Sequence, residues 1–164
     1  MTKVLIPFLA AIFLVGCAAP ASKPAKTSLE IQAVQARNFE ADKATSFKAV
    51  LSVLQDLGYV VQAASMDTGV ITAQSPTQQD TSGSATFAAI FNKVRTEGRV
   101  YVTASVEDMN AKQTRVRLNF VDKKFRSAVG GQQATDEKAI QDPKVYEAAF
   151  EKISEAIFIR QAQK

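Results

Sequence analysis

Residues 99–108 read RVYVTASVED and alternate between polar and apolar side chains. Such alternation is typical of a β-strand with one buried face and one face in water. After the turn DMNAKQ, residues 114–122 (TRVRLNFVD) repeat the pattern. The two segments therefore predict an antiparallel pair of strands. The apolar positions on their shared face are Val100, Val102, Ala104, Val106, Val116, Leu118 and Phe120.

The residues before this pair predict a helix followed by a hairpin. An amphipathic helix is predicted at about 43–57, since its apolar residues recur at helical spacing after Asp42, a suitable N-cap. Gly58 is well placed to end this helix. Two strands, at about 59–65 and 69–75, then flank the turn MDTG.

The C-terminal segment predicts a second, longer helix. It begins with Asp142 as N-cap and Pro143 at the first helical position, where its missing N–H costs nothing. With a short strand at 33–39, the order is β-α-β-β-(helical insert)-β-β-α, an α+β fold with helices on one face of an antiparallel sheet. The apolar stripe of the closing helix comprises Tyr146, Ala149, Phe150, Ile153 and Ile157.

The sequence pattern does not assign two groups of large apolar residues to the core. One group lies in residues 85–94 (ATFAAIFNKV), which predict the helical insert between polar residues and the next strand. The other lies beside the stripe near the end of the closing helix. Core or edge packing explains each group, and so does contact with a partner or membrane. The possible partner contacts are Phe87, Ile90, Phe91, Phe158 and Ile159.

The N-terminus has the pattern of an export signal. Residues 1–16 begin with a positive charge at Lys3, continue with a dozen apolar residues and end in the small residue Gly16. The apolar run is too short to span a bilayer, which takes about 20 residues. Residues 1–16 are therefore predicted to be a signal peptide that is removed from the mature chain.

The sequence Leu14-Val15-Gly16-Cys17 resembles the lipobox of bacterial lipoproteins. The resemblance implies cleavage between Gly16 and Cys17, a diacylglyceryl thioether on the sulfur and an acylated amino group; a thiolate is nucleophilic enough to form that thioether. Ala18 is not the aspartate that retains enterobacterial lipoproteins at the inner membrane, which implies an outer-membrane address. Residues 17–32, rich in Ala, Pro, Ser and Lys, are predicted to be a lipidated tether for a single domain at 33–164.

Four further stretches are similar to a family of small proteobacterial lipoproteins. They are Arg37-Asn38-Phe39, AVLSVLQDLGY at 49–59, DTGVITA at 67–73 and DPKVYEAAFEKISEAIF at 142–158. The resemblance implies lipidation and no established activity.

The element order also resembles the helix-grip domains of the lipoprotein in the β-barrel assembly machinery that carries two such domains. That likeness rests on the order of elements, the lipobox and the hairpin motif Asp67-x-Gly69-x-x-x-Ala73. It implies a long C-terminal helix lying across the sheet.

Composition excludes several kinds of chemistry. The 164 residues include no histidine and one cysteine, so the commonest general base, an intrachain disulfide and a cysteine-based zinc site are absent. The net charge of +4 comes without a recognition helix or a basic stripe interleaved with aromatics, which argues against nucleic-acid binding. We therefore expect no enzyme activity, no cofactor and no metal.

Two functions stay open. The first is an outer-membrane lipoprotein, anchored through Cys17 and facing the periplasm, that acts as a non-enzymatic accessory or scaffold and binds an envelope protein. The alternative is a carrier or sensor of a small apolar ligand between the sheet and the C-terminal helix. Its lining would be Val100, Val102, Val116, Leu118, Phe150 and Ile153.

Overall fold

The computed structural model describes residues 27–79, 95–127 and 133–163. These ranges contain three helices and one antiparallel sheet of seven strands, which confirms the predicted α+β fold. The elements are α1 (Ser28–Gln35), β1 (Ala36–Phe39), α2 (Lys43–Asp56), β2 (Val60–Ser65), β3 (Val70–Gln74), β4 (Gln78–Gln79), β5 (Arg95–Asn110), β6 (Gln113–Ser127), β7 (Gln133–Ala139) and α3 (Pro143–Ala162).

A long hairpin of β5 and β6 forms the middle of the sheet. Its pairing runs from Arg95 opposite Ser127 to Asn110 opposite Gln113, so both strands extend beyond their predicted bounds. The sheet order is β1-β6-β5-β3-β2, with β4 also on β5 and β7 also on β6. The predicted strand pair is therefore confirmed and is the frame to which the other strands attach.

The core lies between the helices and one face of this sheet. The alternate residues of β5 and β6 that were predicted to face inward are buried there, except that Val100 is partly buried. Residues of α2 and α3 close the core from the other side, including all five residues predicted for the stripe of α3. Leu57, the last residue of the predicted range 43–57, is the C-cap of α2 and is 40% exposed.

The predicted helix ends are confirmed. Asp42 accepts a hydrogen bond from the Thr45 amide at 2.7 Å, and Asp142 accepts one from the Lys144 amide at 3.1 Å. Both side chains satisfy backbone groups that a helix start leaves unpaired. Gly58 follows α2 with a φ of 82°, a left-handed conformation that glycine adopts without steric cost.

The first strand was predicted to span residues 33–39, and this is wrong at its start. Residues 28–35 form α1, and β1 begins at Ala36. A capping box starts α1: the Thr27 amide donates to the Glu30 carboxylate at 2.7 Å, and the Glu30 amide donates to the Thr27 hydroxyl at 3.3 Å. No residue of α1 is buried, so the sequence has no strong apolar period there. Residues 28–32 of the predicted tether are thus helical.

The predicted element order has no strand between the central strand pair and the closing helix, and the stretch at 122–140 corrects this. It contains the end of β6 and the whole of β7. All seven residues of β7 are exposed, so no alternation of apolar and polar residues marks this strand. Backbone pairing with β6 and an ion pair of 2.7 Å between Lys123 and Glu137 hold it in place.

Some predicted features lie outside the described residues. They are the signal peptide, the cleavage site at Gly16 and Cys17, and the helical insert with Phe87, Ile90 and Phe91. In the three described ranges, no helix is both long and apolar enough to cross a bilayer.

Candidate partner-binding surface

Two large apolar side chains stand out of the protein on the last turns of α3. Phe158 is 72% exposed and Ile159 is 55% exposed. The neighbouring stripe residue Ile157 is buried at 5%. Because successive residues of a helix point about 100° apart, a stripe that faces the sheet through Ile157 turns the next two side chains away from it. We call Phe158 and Ile159 the α3 patch.

The helix turn that carries the α3 patch is fixed on two sides. Arg160 donates a hydrogen bond to the Ser52 hydroxyl of α2. Gln161 donates from its side-chain amide to the Glu40 carbonyl at 2.7 Å, beyond the end of β1. The patch therefore lies on a helix turn that tertiary hydrogen bonds hold in place, and not on a frayed helix end.

Acidic side chains lie beside the aromatic residue of the patch. Glu151 and Glu155 precede Phe158 by seven and three residues, which places them on the same side of α3. Both glutamates are exposed. By the same spacing, exposed Lys152 lies seven residues before Ile159. Negative charge therefore borders Phe158, and one positive charge borders Ile159.

The structure places two of the five predicted contact residues on the surface. These are Phe158 and Ile159, and the other three lie outside the described residues. Sequence reasoning missed another exposed site, β2, where Val60 is 54% exposed. Its sequence VVQAAS carries no charge, a signal that could have marked it as an unusual edge strand.

The residues that would line an apolar ligand site instead form the core. Val102, Val116, Leu118, Phe150 and Ile153 are each at most 2% exposed and belong to one packed cluster. Val100 is partly buried against the same cluster.

The described surface has a depression of about 510 Å³ beside the β5–β6 turn and a groove of about 410 Å³ along the sheet. Polar side chains supply much of the lining of both.

The basic residues of the stretch at 122–127 lie on β6. Lys123 pairs with Glu137 at 2.7 Å and lies 5.0 Å from the ring centroid of Tyr101. Arg126 lies 3.6 Å from a carboxylate oxygen of Asp136. The acidic residues of β7 thus compensate part of the positive charge of this stretch.

Chemistry-bearing groups are sparse in the described ranges. These ranges contain no cluster of three or more Asp, Glu, Cys or His residues that could hold a metal ion. Partial burial raises the pKa of Tyr59, whose ring centroid lies 6.2 Å from that of Phe120. That tyrosine borders the core, so its perturbation has a structural cause.

Comparisons with known proteins identify no family. No protein-family model matches this chain, and no curated protein matches it. Among solved structures, a DUF4468 family protein from Bacteroides ovatus is similar with a TM-score of 0.38 and 8% sequence identity. The match covers 74% of this chain and 84% of that one. Similarity this low carries no functional argument, and the resemblance to proteobacterial lipoproteins stays a prediction.

Proposed function

We propose that this chain is an outer-membrane lipoprotein, anchored through acylated Cys17 and facing the periplasm, whose α+β domain binds an envelope protein as a non-enzymatic accessory. The lipobox supports the anchoring half of the proposal. The α3 patch supports the binding half.

The exposure of Phe158 carries the proposal. An aromatic ring that is 72% exposed on a fixed helix turn contributes little to the stability of the fold. It does supply the large contact area typical of a binding hot spot. Ile159 widens the same apolar area. The helix needs no rearrangement to present the pair, which keeps the entropic cost of binding low.

The negative charge beside Phe158 favours a protein over the lipid surface as the partner of this ring. Glu151 and Glu155 would face anionic head groups if Phe158 entered a bilayer, and like charges would repel. A protein with an apolar pocket and a basic rim fits the same surface.

Photo-cross-linking in intact cells tests this binding. A photoreactive amino acid at position 158 is expected to give a discrete adduct with an envelope protein. The control carries the same group at Thr135, which is exposed on β7, outside α3. Absence of an adduct at position 158, or equal adducts at both positions, would contradict the α3 patch as the contact surface.

Anchoring is tested separately with Cys17→Ser. Metabolic labelling with a palmitate analogue is expected to label the wild-type chain and not the variant. The variant is also expected to accumulate with its signal peptide uncleaved, because the lipoprotein peptidase acts after the thioether forms. A wild-type chain that takes up no label would disprove the lipid anchor, whatever the cross-linking shows.

A further inference from the structure

Strand β2 is an edge of the sheet and lacks the charges that usually protect an edge. In the described part of the chain it pairs only with β3, and its sequence VVQAAS is uncharged. Strand β7, on another edge, carries Asp136, Glu137 and Lys138. Charged side chains discourage an edge strand from pairing with a second sheet, so β7 is protected in this way and β2 is not.

A bulge divides β2 into two short arms. The register with β3 shifts between Val61 and Ala63, which makes Gln62 the extra residue. Before the bulge, Val61 lies opposite the buried Ala73 on the helix side of the sheet. After it, Ala64 lies opposite the buried Ile71 on that same side.

The outermost residues of β2 both face the helix-free side. Val60 lies opposite Gln74, and Ser65 lies opposite Val70. Because the bulge adds one residue in the middle, the sequence of sides that the side chains face is the same when β2 is followed from its first residue or from its last. From the first residue to the last, the order is helix-free (Val60), helix side (Val61), bulge (62–63), helix side (Ala64) and helix-free (Ser65).

We propose that this edge pairs with the β2 edge of a second copy of the chain, antiparallel about a two-fold axis at the bulge. In that register Val60 lies opposite Ser65 of the other copy, and Val61 lies opposite Ala64. Matched residues thus share a face in both sheets, as an isologous interface requires. Without the bulge, the same register would place residues of opposite faces against each other.

The side chains along the edge fit a second copy. Ala63, Ala64 and Ser65 are small, so another strand can approach without displacing bulk. No charged residue lies within the six paired positions, so no like charges meet across the axis.

Exposed apolar side chains border the same edge. Val60 is 54% exposed and Val70 is 37% exposed, both on the helix-free side, and Leu57 next to the start of β2 is 40% exposed. Pairing of two copies would bring Val60 of one copy beside the Ser65–Val70 pair of the other. This contact would bury apolar surface that the single chain leaves in water.

The pairing is expected to be weak in dilute solution. One pair of six-residue strands buries less than the roughly 1,600 Å² of a standard stable interface. Confinement of both copies to one membrane would raise their effective concentration and favour pairing. The edge is separate from the α3 patch, so this inference does not depend on that patch binding a partner.

Cysteine cross-linking in host membranes tests the register. In the proposed pairing the two copies of residue 63 lie one position out of register, about 6 Å apart between Cα atoms, which a disulfide can span. Oxidation of the full-length Ala63→Cys chain is expected to give a disulfide dimer. The control, Thr135→Cys on exposed β7, is expected to give none. Equal dimer from both variants, or none from Ala63→Cys, would overturn the pairing.

A wild-type chain is oxidised beside these variants, because Cys17 is its only cysteine. A dimer of the wild type would show a free Cys17 thiol and so disprove the lipid anchor. The charge exchange described next decides the edge pairing independently of that result.

The charge exchange uses two tagged copies of the full-length chain that share one host membrane and are fixed with a photoactivated cross-linker before detergent is added. When both copies carry Ala63→Lys, the amount of one tag that co-purifies with the other is expected to fall at least about tenfold, since like charges then meet at the axis. Ala63→Lys in one copy combined with Ala63→Glu in the other is expected to restore co-purification. Unchanged co-purification in the doubly lysine-substituted pair would refute the proposal.

Discussion

The backbone of Gly69 lies directly against the backbone of Val106. The Val106 amide donates to the Gly69 carbonyl at 2.8 Å, and a Cβ atom on Gly69 would overlap the Val106 carbonyl oxygen. Gly69 also has a φ of 71°, which side chains disfavour. The turn between β2 and β3 can therefore seat against β5 only when this residue has no side chain.

Gly69→Ala is expected to lower the free energy of unfolding by about 2–4 kcal/mol, because backbone atoms must move apart as well as tolerate a left-handed alanine. Urea denaturation followed by circular dichroism measures this loss. The matched control is Gly58→Ala, at a φ of 82° with nothing within 4 Å of the added Cβ. That variant is expected to lose only about 1–2 kcal/mol. Equal losses would show that the contact with Val106 adds nothing.

Ser46 and Thr114 join α2 to β6 through a buried hydrogen bond of 2.6 Å between their hydroxyls. Thr114→Val keeps the shape but leaves the Ser46 hydroxyl without this partner, so a loss of about 1–3 kcal/mol is expected. Adding Ser46→Ala removes the second hydroxyl and is expected to recover part of the loss. A double-mutant cycle by chemical denaturation measures the coupling. Additive losses would contradict a direct interaction between the two hydroxyls.

Strands β1 and β7 both pair with β6, and Tyr146 lies at the gap between them. Strand β1 pairs with β6 up to Arg117, and β7 pairs with it from Val121 onward. Between them, the Tyr146 hydroxyl donates to the Ile140 carbonyl at 2.7 Å and accepts from the Phe120 amide at 3.4 Å.

Tyr146→Phe is expected to cost about 1–3 kcal/mol of unfolding free energy, since buried backbone groups lose their partner. Hydrogen exchange of the Phe120 amide is expected to accelerate as well. Tyr101→Phe, on the helix-free face, is the control and is expected to change stability little. An unchanged exchange rate at Phe120 in Tyr146→Phe would rule out the proposed hydrogen bond.

Tyr59 gives the stability a dependence on alkaline pH. Partial burial raises the pKa of this phenol above its ordinary value of 10.0, so the folded state binds its proton more tightly than the unfolded state does. Its contribution is therefore complete below pH 10 and declines as the pH rises through the folded-state pKa. Unfolding free energies measured from pH 8 to about 11 are expected to fall less steeply in Tyr59→Phe than in the wild type. Identical slopes would remove Tyr59 as the cause.

Alternation and helical spacing determined much of this fold from the sequence alone. Polar and apolar residues alternate along β5 and β6 because one face of the sheet is buried, and the five-residue stripe of α3 is buried for the same reason. Asp42 and Asp142 marked the helix starts because a short polar side chain can cap a helix using local geometry only. These features need no knowledge of distant contacts.

Features without a buried face could only be decided by the tertiary structure. Helix α1 and strand β7 have no buried residue, so neither imposes a period on its sequence. The exposure of Phe158 and Ile159 likewise depended on which side of α3 met the sheet and on the contacts of Arg160 and Gln161. The sequence determined most of the residues that enter the core, because burial needs apolar side chains at regular intervals. Tertiary packing decided which apolar residues stay outside and which strand edges stay open, because these depend on neighbours far apart along the chain.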